Sequence, residues 1–401
     1  VLAVIETHPI QYQAPVLRAL EQQHAVPVTA IYGSDFSVTG YHDPEFGARF
    51  AWDTDLLSGY TSIFLSRASE GGARSAADVS PAGIRAALRS VAPTAVLING
   101  YSPRFHRAAW YAAWRGGYPI LFRGETNDTA SPRNAIKAGV RRAALSLAYR
   151  SCARCLYIGQ RSREHFRRLG VDDARLVFSP YSVDPAPFDD GESGRVRWRS
   201  SMRAEIGAGD DALVVLFAGK LSHRKGVDVL IHALKRWPQA GRDRVVTVLV
   251  GDGDERQALA ALAASAPRLD VRFAGFQNQR QLSRYYHAAD LFVLPSRTSE
   301  TWGLVVNEAL HHGVPCVVSH RVGCEPDLIE RDVTGVTFQA ESVDALASAL
   351  ERARPLVGRP PIREACRRKV ADYSVDRAAA GLAAAYRAVT SGAAATLRRA
   401  G

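Results

Sequence analysis

The sequence predicts an α/β protein of two Rossmann-like domains, each a doubly wound parallel sheet, facing each other across a cleft. Short runs rich in Val, Ile, Leu and Phe recur along the chain and alternate with Ala- and Arg-rich stretches of helical periodicity, the pattern of βαβ units. The runs are apolar along their whole length, as parallel strands covered by helices on both faces must be. The pattern breaks once, in a stretch rich in Pro, Asp and Gly, and then restarts.

Before the break, strands are predicted at Val1 to Glu6, Val26 to Tyr32, Ala95 to Asn99, Ile120 to Arg123, Cys155 to Ile158 and Arg175 to Phe178. Helices fill Ala14 to Gln23, Pro81 to Ser90, Arg104 to Arg115, Arg133 to Ser151 and Ser162 to Leu169. The break runs from Ser179 to Gly194. Further strands follow at Leu213 to Ala218, Val245 to Val250, Val271 to Ala274, Leu291 to Leu294, Pro315 to Val318 and Val336 to Phe338. At 401 residues the chain exceeds one ordinary core, so a domain over 1–182 and a second over 183–377 are expected. Doubly wound sheets bind ligands at the carboxyl ends of their strands, which makes the cleft between them the expected site.

Composition narrows the class. Hydrophobic residues make up 47% and charged residues 23%, the balance of a globular enzyme and far from that of a disordered chain. No apolar run approaches the roughly 20 residues of a spanning helix, and Val1 to Ile5 is too short for a secretory leader, so a cytoplasmic protein is expected. Five cysteines, an odd number, suit buried thiols in a reducing compartment; Cys152 and Cys155 lack the second pair or histidine that zinc would need. The net charge is +11. Much of it falls between Arg133 and Arg175, either a solvated helix face or a contact for an anionic partner such as a membrane surface. The apolar residues of the helix there, Ile136, Val140, Leu145 and Leu147, are expected in the core.

Two strand-to-helix junctions carry the chemistry. At the first, a buried strand ends at Leu294, a polar loop follows, and an apolar helix begins near Gly303. Its free N–H groups and helix dipole suit a diphosphate, with Glu300 in the loop within reach of a sugar and Glu308 in the helix able to accept ribose hydroxyls. Glu300 as a simple cap and Glu308 as a solvated residue is the plainer alternative. At the second, Phe217 to Asp228 runs through a glycine turn into another helix. It lacks the Walker spacing. Lys220 and Lys225 flank it, as a pyrophosphate clamp or as solvated lysines.

The loop Gly219-Lys220-x-x-x-Arg224-Lys225-Gly226, then Val250 to Gly253, Phe273 to Phe276, Glu300 to Glu308 and Gly313 to Val318 occur in this order. The set closely resembles family 4 of the retaining GT-B glycosyltransferases, over about Leu213 to Phe338. That resemblance implies a GT-B fold and transfer of a hexose-type sugar from a UDP- or GDP-sugar to a hydroxyl of a glycan, glycolipid or small molecule, in cell-surface polysaccharide or glycoconjugate synthesis. It implies that Glu300 contacts the donor sugar, Glu308 the ribose, and Lys220 and Lys225 the diphosphate. Gly219 and Gly251 would line the donor site, Thr301, Trp302, Gly303 and Leu304 would face the phosphates or sugar, and Phe276 and Gln277 would hold the base. By the same resemblance a last helix, about 378–401, packs back on the first domain.

Three departures stand out. Lys220 replaces the more usual Arg, a point charge for a bidentate fork. Glu6 to Pro15 replaces a glycine-rich loop and puts His8, Gln11 and Tyr12 at the cleft rim, or makes of them only the entrance to a helix. Leu121 to Asp128 carries no histidine, leaving Arg123, Glu125 and Asn127 to orient sugar or acceptor. His8 and Glu125 therefore join Glu300, Lys220 and Lys225 as catalytic candidates. No cofactor and no metal are expected, because lysines and helix amides take over the charge and Asp252-Gly253-Asp254 reads as a turn. The expected partners are a nucleotide sugar, a glycan, small-molecule or lipid-linked acceptor, and an anionic membrane touched peripherally at its inner face. A sugar-nucleotide epimerase or phosphorylase on the same fold is the alternative; a nucleic-acid binder lacks a binding module.

Overall fold

A computed structural model describes residues 1–38, 40–43, 48–50, 54–126, 135–189, 191–237, 244–298 and 300–399. In the first half the strands are β1 (Leu2–Glu6), β2 (Val28–Tyr32), β3 (Tyr41–Asp43), β4 (Ala48–Phe50), β5 (Thr61–Phe64), β6 (Ala95–Asn99), β7 (Ile120–Gly124), β8 (Cys152–Tyr157) and β9 (Leu176–Phe178). The helices between them are α1 (Ala14–Gln22), α2 (Ile84–Val91), α3 (Arg104–Arg115), α4 (Ala135–Arg150) and α5 (Gln160–Arg168). Seven strands form one parallel sheet in the order β5-β2-β1-β6-β7-β8-β9.

The second half brings β10 (Leu213–Ala218), β11 (Val245–Val250), β12 (Asp270–Gly275), β13 (Leu291–Leu294), β14 (Cys316–Ser319) and β15 (Gly335–Phe338). Its helices are α6 (Glu192–Glu205), α7 (Val227–Arg236), α8 (Arg256–Ala264), α9 (Gln279–Ala288), α10 (Leu304–His311), α11 (Glu325–Leu328), α12 (Val343–Ala353), α13 (Pro360–Ala371) and α14 (Val375–Arg399). This sheet is also parallel, in the order β12-β11-β10-β13-β14-β15. Every residue of β1, β2 and β10 is buried, because helices cover both faces. Strand order reverses beside β1 in one sheet and beside β10 in the other, which opens a crevice at each reversal.

Several expectations need correction. The edge strand β5 was not predicted: it starts with two hydroxyl residues and is only half buried, so no apolar run marks it. The antiparallel pair β3 and β4 escaped for want of a turn dipeptide or alternation. In α4, Leu145 is buried, but Val140 and Leu147 are 68% and 69% exposed. At roughly 100° per residue, Leu145 and Tyr149 share the buried stripe, whereas Val140 and Leu147 lie on the far side. The side chain of Ile136 lies outside the described residues.

Contacts at three places fix the domains and the segment that joins them. Arg123, buried at the end of β7, donates from Nε to the Ser179 carbonyl (3.3 Å) and from a terminal nitrogen to that of Pro180, with its guanidinium over the Tyr181 ring at 5.0 Å. Helix α14 crosses back to the first sheet, where Ala378, Leu382 and Ala385 are buried with Leu2, Val4, Leu17 and Leu20. At the third place Asp327 receives the Gln160 N–H at the start of α5 (3.0 and 3.1 Å) and the Tyr373 hydroxyl (2.9 Å). Arg161 beside it donates to the carbonyls of Val322 (2.9 Å) and His320 (2.8 Å) and pairs with Glu325. Burial raises the Asp327 carboxyl to about 6 against the pull of these donors.

Replacing Asp327 by alanine leaves the Gln160 amide and the Tyr373 hydroxyl without their acceptor. The expected cost is about 1–3 kcal/mol. A thermal midpoint equal to wild type would show that Asp327 does not hold the domains.

Candidate active site

The crevice beside β10 is formed by the loops after β10 and β13. Positive backbone angles make glycine necessary here: at Gly251 (φ 127°) a Cβ would stand 1.9 Å from the Gly219 carbonyl oxygen, and at Gly303 (φ 103°) it would press on Val322 and Leu294. Gly219 in turn donates its N–H to Val250. Strand ends and loop are thus pulled close, and Lys220 and Lys225 stand on that loop.

Lys225 Nζ donates to Glu300 Oε2, Ser296 Oγ donates to the same oxygen at 2.9 Å, and an Arg224 nitrogen lies 3.9 Å away. Glu300 and Lys225 are each only 8% exposed. Burial alone would raise the Glu300 carboxyl, but Lys225, with Arg224 and Ser296, outweighs it and holds the group below its ordinary range. The loop itself is braced by the Gly323 N–H on the Glu300 carbonyl (3.0 Å) and the Cys324 N–H on that of Trp302 (2.9 Å).

Glu308 is not solvated, and among the described residues it has no cation partner. It is 6% exposed, accepts from the Tyr286 hydroxyl at 2.9 Å, and burial raises it to about 7. Trp302 points its ring into the hinge, edge-on to Tyr181 (6.3 Å) and beside Tyr373, with Nε1 on Asn307 (2.9 Å), so only its backbone is left toward the crevice. Leu304 opens α10, while Gln277 Nε2, next to Phe276, donates to the Ala274 carbonyl at 2.9 Å.

The crevice beside β1 opens into a cavity of about 430 Å³ that includes Glu6, Tyr12, Asn99, Tyr101, His106, Glu125 and Arg141 from the first domain and Thr301 from the second. Thr301 Oγ1 donates to Glu125 Oε2 at 2.9 Å, which joins the two crevices across the cleft. Of the first-domain candidates, Tyr12 and Glu125 line this cavity. His8 packs tilted against Phe36 at 4.4 Å with Nδ1 2.9 Å from Thr7 Oγ1, and burial lowers it to about 4, so it is neutral at pH 7. Gln11 is half-buried, Arg123 is spent on the hinge carbonyls, and Asn127 lies outside the described residues.

Glu6 and His106 were not among the expected site residues. His106 Nε2 is 3.3 Å from Glu6 Oε2 without meeting hydrogen-bond geometry, both side chains are buried, and Glu6 Oε1 and both ring nitrogens of His106 have no hydrogen-bond partner among the described residues. A carboxylate closing the apolar run Val1 to Ile5 was a readable sign for Glu6. His106, inside a helix, had none.

Two sheets whose crevices face each other define a GT-B protein, and the fold likeness agrees. The chain superposes on Anabaena HepE with a TM-score of 0.66 over 99% of both chains at 18% identity. Residues 199–355 match the model of the family described as glycosyl transferases group 1. An uncharacterized glycosyltransferase of Methanocaldococcus jannaschii is 32% identical over 45% of this chain and 45% of its own. A D-inositol 3-phosphate glycosyltransferase of Geodermatophilus obscurus is 29% identical over 73% of this chain and 66% of its own. The matches therefore span less than two thirds of these relatives.

Because Glu308 is raised from 4.5 to about 7 on folding, its contribution to stability is fully present below pH 4.5 and is lost as pH rises through 7. The loss is on the order of 3 kcal/mol. Glu308→Gln removes it, so the variant's melting temperature should gain on wild type between pH 5 and pH 8. Parallel curves would mean that the carboxyl is ionised without cost.

Proposed function

We propose that this protein is a retaining glycosyltransferase that moves a hexose-type sugar from a UDP- or GDP-sugar to a hydroxyl of a glycan, glycolipid or small molecule, in polysaccharide or glycoconjugate synthesis. The observation that carries this reading is the buried Lys225–Glu300 pair at one crevice, linked through Thr301 and Glu125 to the acceptor-sized cavity at the other. The HepE structure holds UDP and glucose, which makes a UDP-sugar the first donor to test.

In this reading Lys220, Lys225 and the first-turn amides of α10 hold the diphosphate, and Glu308 accepts the ribose hydroxyls. Glu300, kept ionised by Lys225, accepts hydroxyls of the sugar. The acceptor oxygen attacks C1 on the face from which the diphosphate departs. The C1–O bond breaks, its electron pair stays on the diphosphate, and the acceptor proton passes to the departing phosphate oxygen. Fixed cations and amides stabilise the charge that develops there. Glu6 and His106, with polar atoms unpaired in the cavity, bind and orient the acceptor hydroxyl. No helix among the described residues is long and apolar enough to span a membrane. Contact with an anionic membrane surface belongs to the proposal and rests on the charge of the first domain.

Glu300→Gln is expected to reduce turnover of a UDP- or GDP-sugar by about 100-fold or more, while UDP still raises the melting temperature. Turnover near wild type would remove Glu300 from the mechanism. The phosphate clamp of lysines and amides also predicts that activity survives excess EDTA, and loss restored by Mg²⁺ or Mn²⁺ would refute it.

A further inference from the structure

Outside the cleft, the least expected surface lies between α3 and α4. A cavity of about 710 Å³ opens there, within the roughly 300–1,000 Å³ of small-molecule sites. Its lining is apolar and aromatic, with Trp110, Tyr111, Trp114, Leu145 and Leu147. Seven large hydrophobic side chains are exposed among the described residues, and four of them (Tyr111, Trp114, Val140 and Leu147) belong to these two helices. Such clustering marks a binding surface rather than scattered exposure. Helix α14, the candidate cover, packs on the opposite face of the sheet, against α1.

Two further observations choose the occupant. Tyr101 and Arg141 line both this groove and the cleft cavity, with the Arg141 guanidinium over the Tyr101 ring at 5.7 Å and donating to its hydroxyl. The groove therefore ends where the acceptor cavity begins. In addition, α3 and α4 carry Arg104, Arg107, Arg115, Lys137, Arg141, Arg142 and Arg150 and no acidic residue. An apolar channel with a guanidinium at its inner end and a basic rim fits a molecule with a hydrocarbon chain, an anionic phosphate and a polar head.

We infer that the α3–α4 groove holds the hydrocarbon chain of a lipid-phosphate acceptor, whose phosphate sits at Arg141 and whose hydroxyl head reaches Glu6 and His106. This rests on the transferase reading above and deepens it by naming the acceptor class. A flat membrane surface would need the exposed basic face but no channel leading into the cleft.

The test uses the full chain, with dodecyl phosphate below its micelle concentration, inorganic phosphate, uncharged dodecyl maltoside, and vesicles of phosphatidylcholine with 30% phosphatidylglycerol as about one lipid in three. Binding is followed by calorimetry and by the fluorescence of Trp110 and Trp114. Dodecyl phosphate should bind at least about tenfold tighter than either inorganic phosphate or the maltoside. Leu147→Glu and Trp114→Ala, both at exposed positions, should weaken it about tenfold with unchanged melting temperature, whereas Val196→Glu, on α6 of the other domain, should not. Equal binding of dodecyl phosphate and inorganic phosphate, or indifference to Leu147→Glu, overturns the inference. So does vesicle binding without dodecyl phosphate binding, or a dimer that Leu147→Glu dissociates. Stabilisation by UDP, measured on the same samples, separates the two readings: UDP binding without dodecyl phosphate binding sinks the groove alone, and the reverse sinks the donor site alone.

Discussion

A parallel sheet covered on both faces leaves only the ends of its strands for polar chemistry, and the arrangement of this molecule depends on that constraint. Glu6 ends β1, Asn99 ends β6, and Glu125 follows β7 directly, while Gly219, Gly251 and the Pro295 to Glu300 loop follow β10, β11 and β13. Each stands at a carboxyl end, and the two sheets turn those ends toward one another, with Thr301 and Glu125 in direct contact. Candidate donor and acceptor groups meet because both sheets reverse strand order at that edge.

Holding two such edges face to face takes contacts that are costly to break. Asp327 at the start of α5 combines a carboxylate with the positive end of a helix, and Arg161 reaches from the same helix to two carbonyls of the other domain. Other arginines that look like a free basic field in the sequence are committed within the first domain. Arg175 donates to the Tyr149 and Cys152 carbonyls, and Arg167 pairs with Asp173. Arg141, Arg142 and Arg150 of the field stand on α4, beside the exposed aromatic residues of α3.

The two glutamates show how one environment gives opposite electrostatics. Both are buried, and burial disfavours the charge on each. Glu300 is offset by Lys225 and Arg224, Glu308 only by a neutral hydroxyl. One is therefore held ionised, and the other titrates near neutrality.

The apolar runs by themselves determined the two parallel sheets, since a strand buried on both faces must be apolar throughout, and the glycine and glutamate spacing of Leu213 to Phe338 determined the candidate donor site, since both of its loops are continuous in sequence. Tertiary structure alone decided the rest. Strand β5 was hidden because an edge strand needs no apolar run. The partnership of Glu6 with His106 was hidden because a hundred residues separate them and only the pairing of β1 with β6 brings them together. The outward face of Val140 and Leu147 was hidden because periodicity tells which residues share a side of a helix, while only packing decides which side is covered.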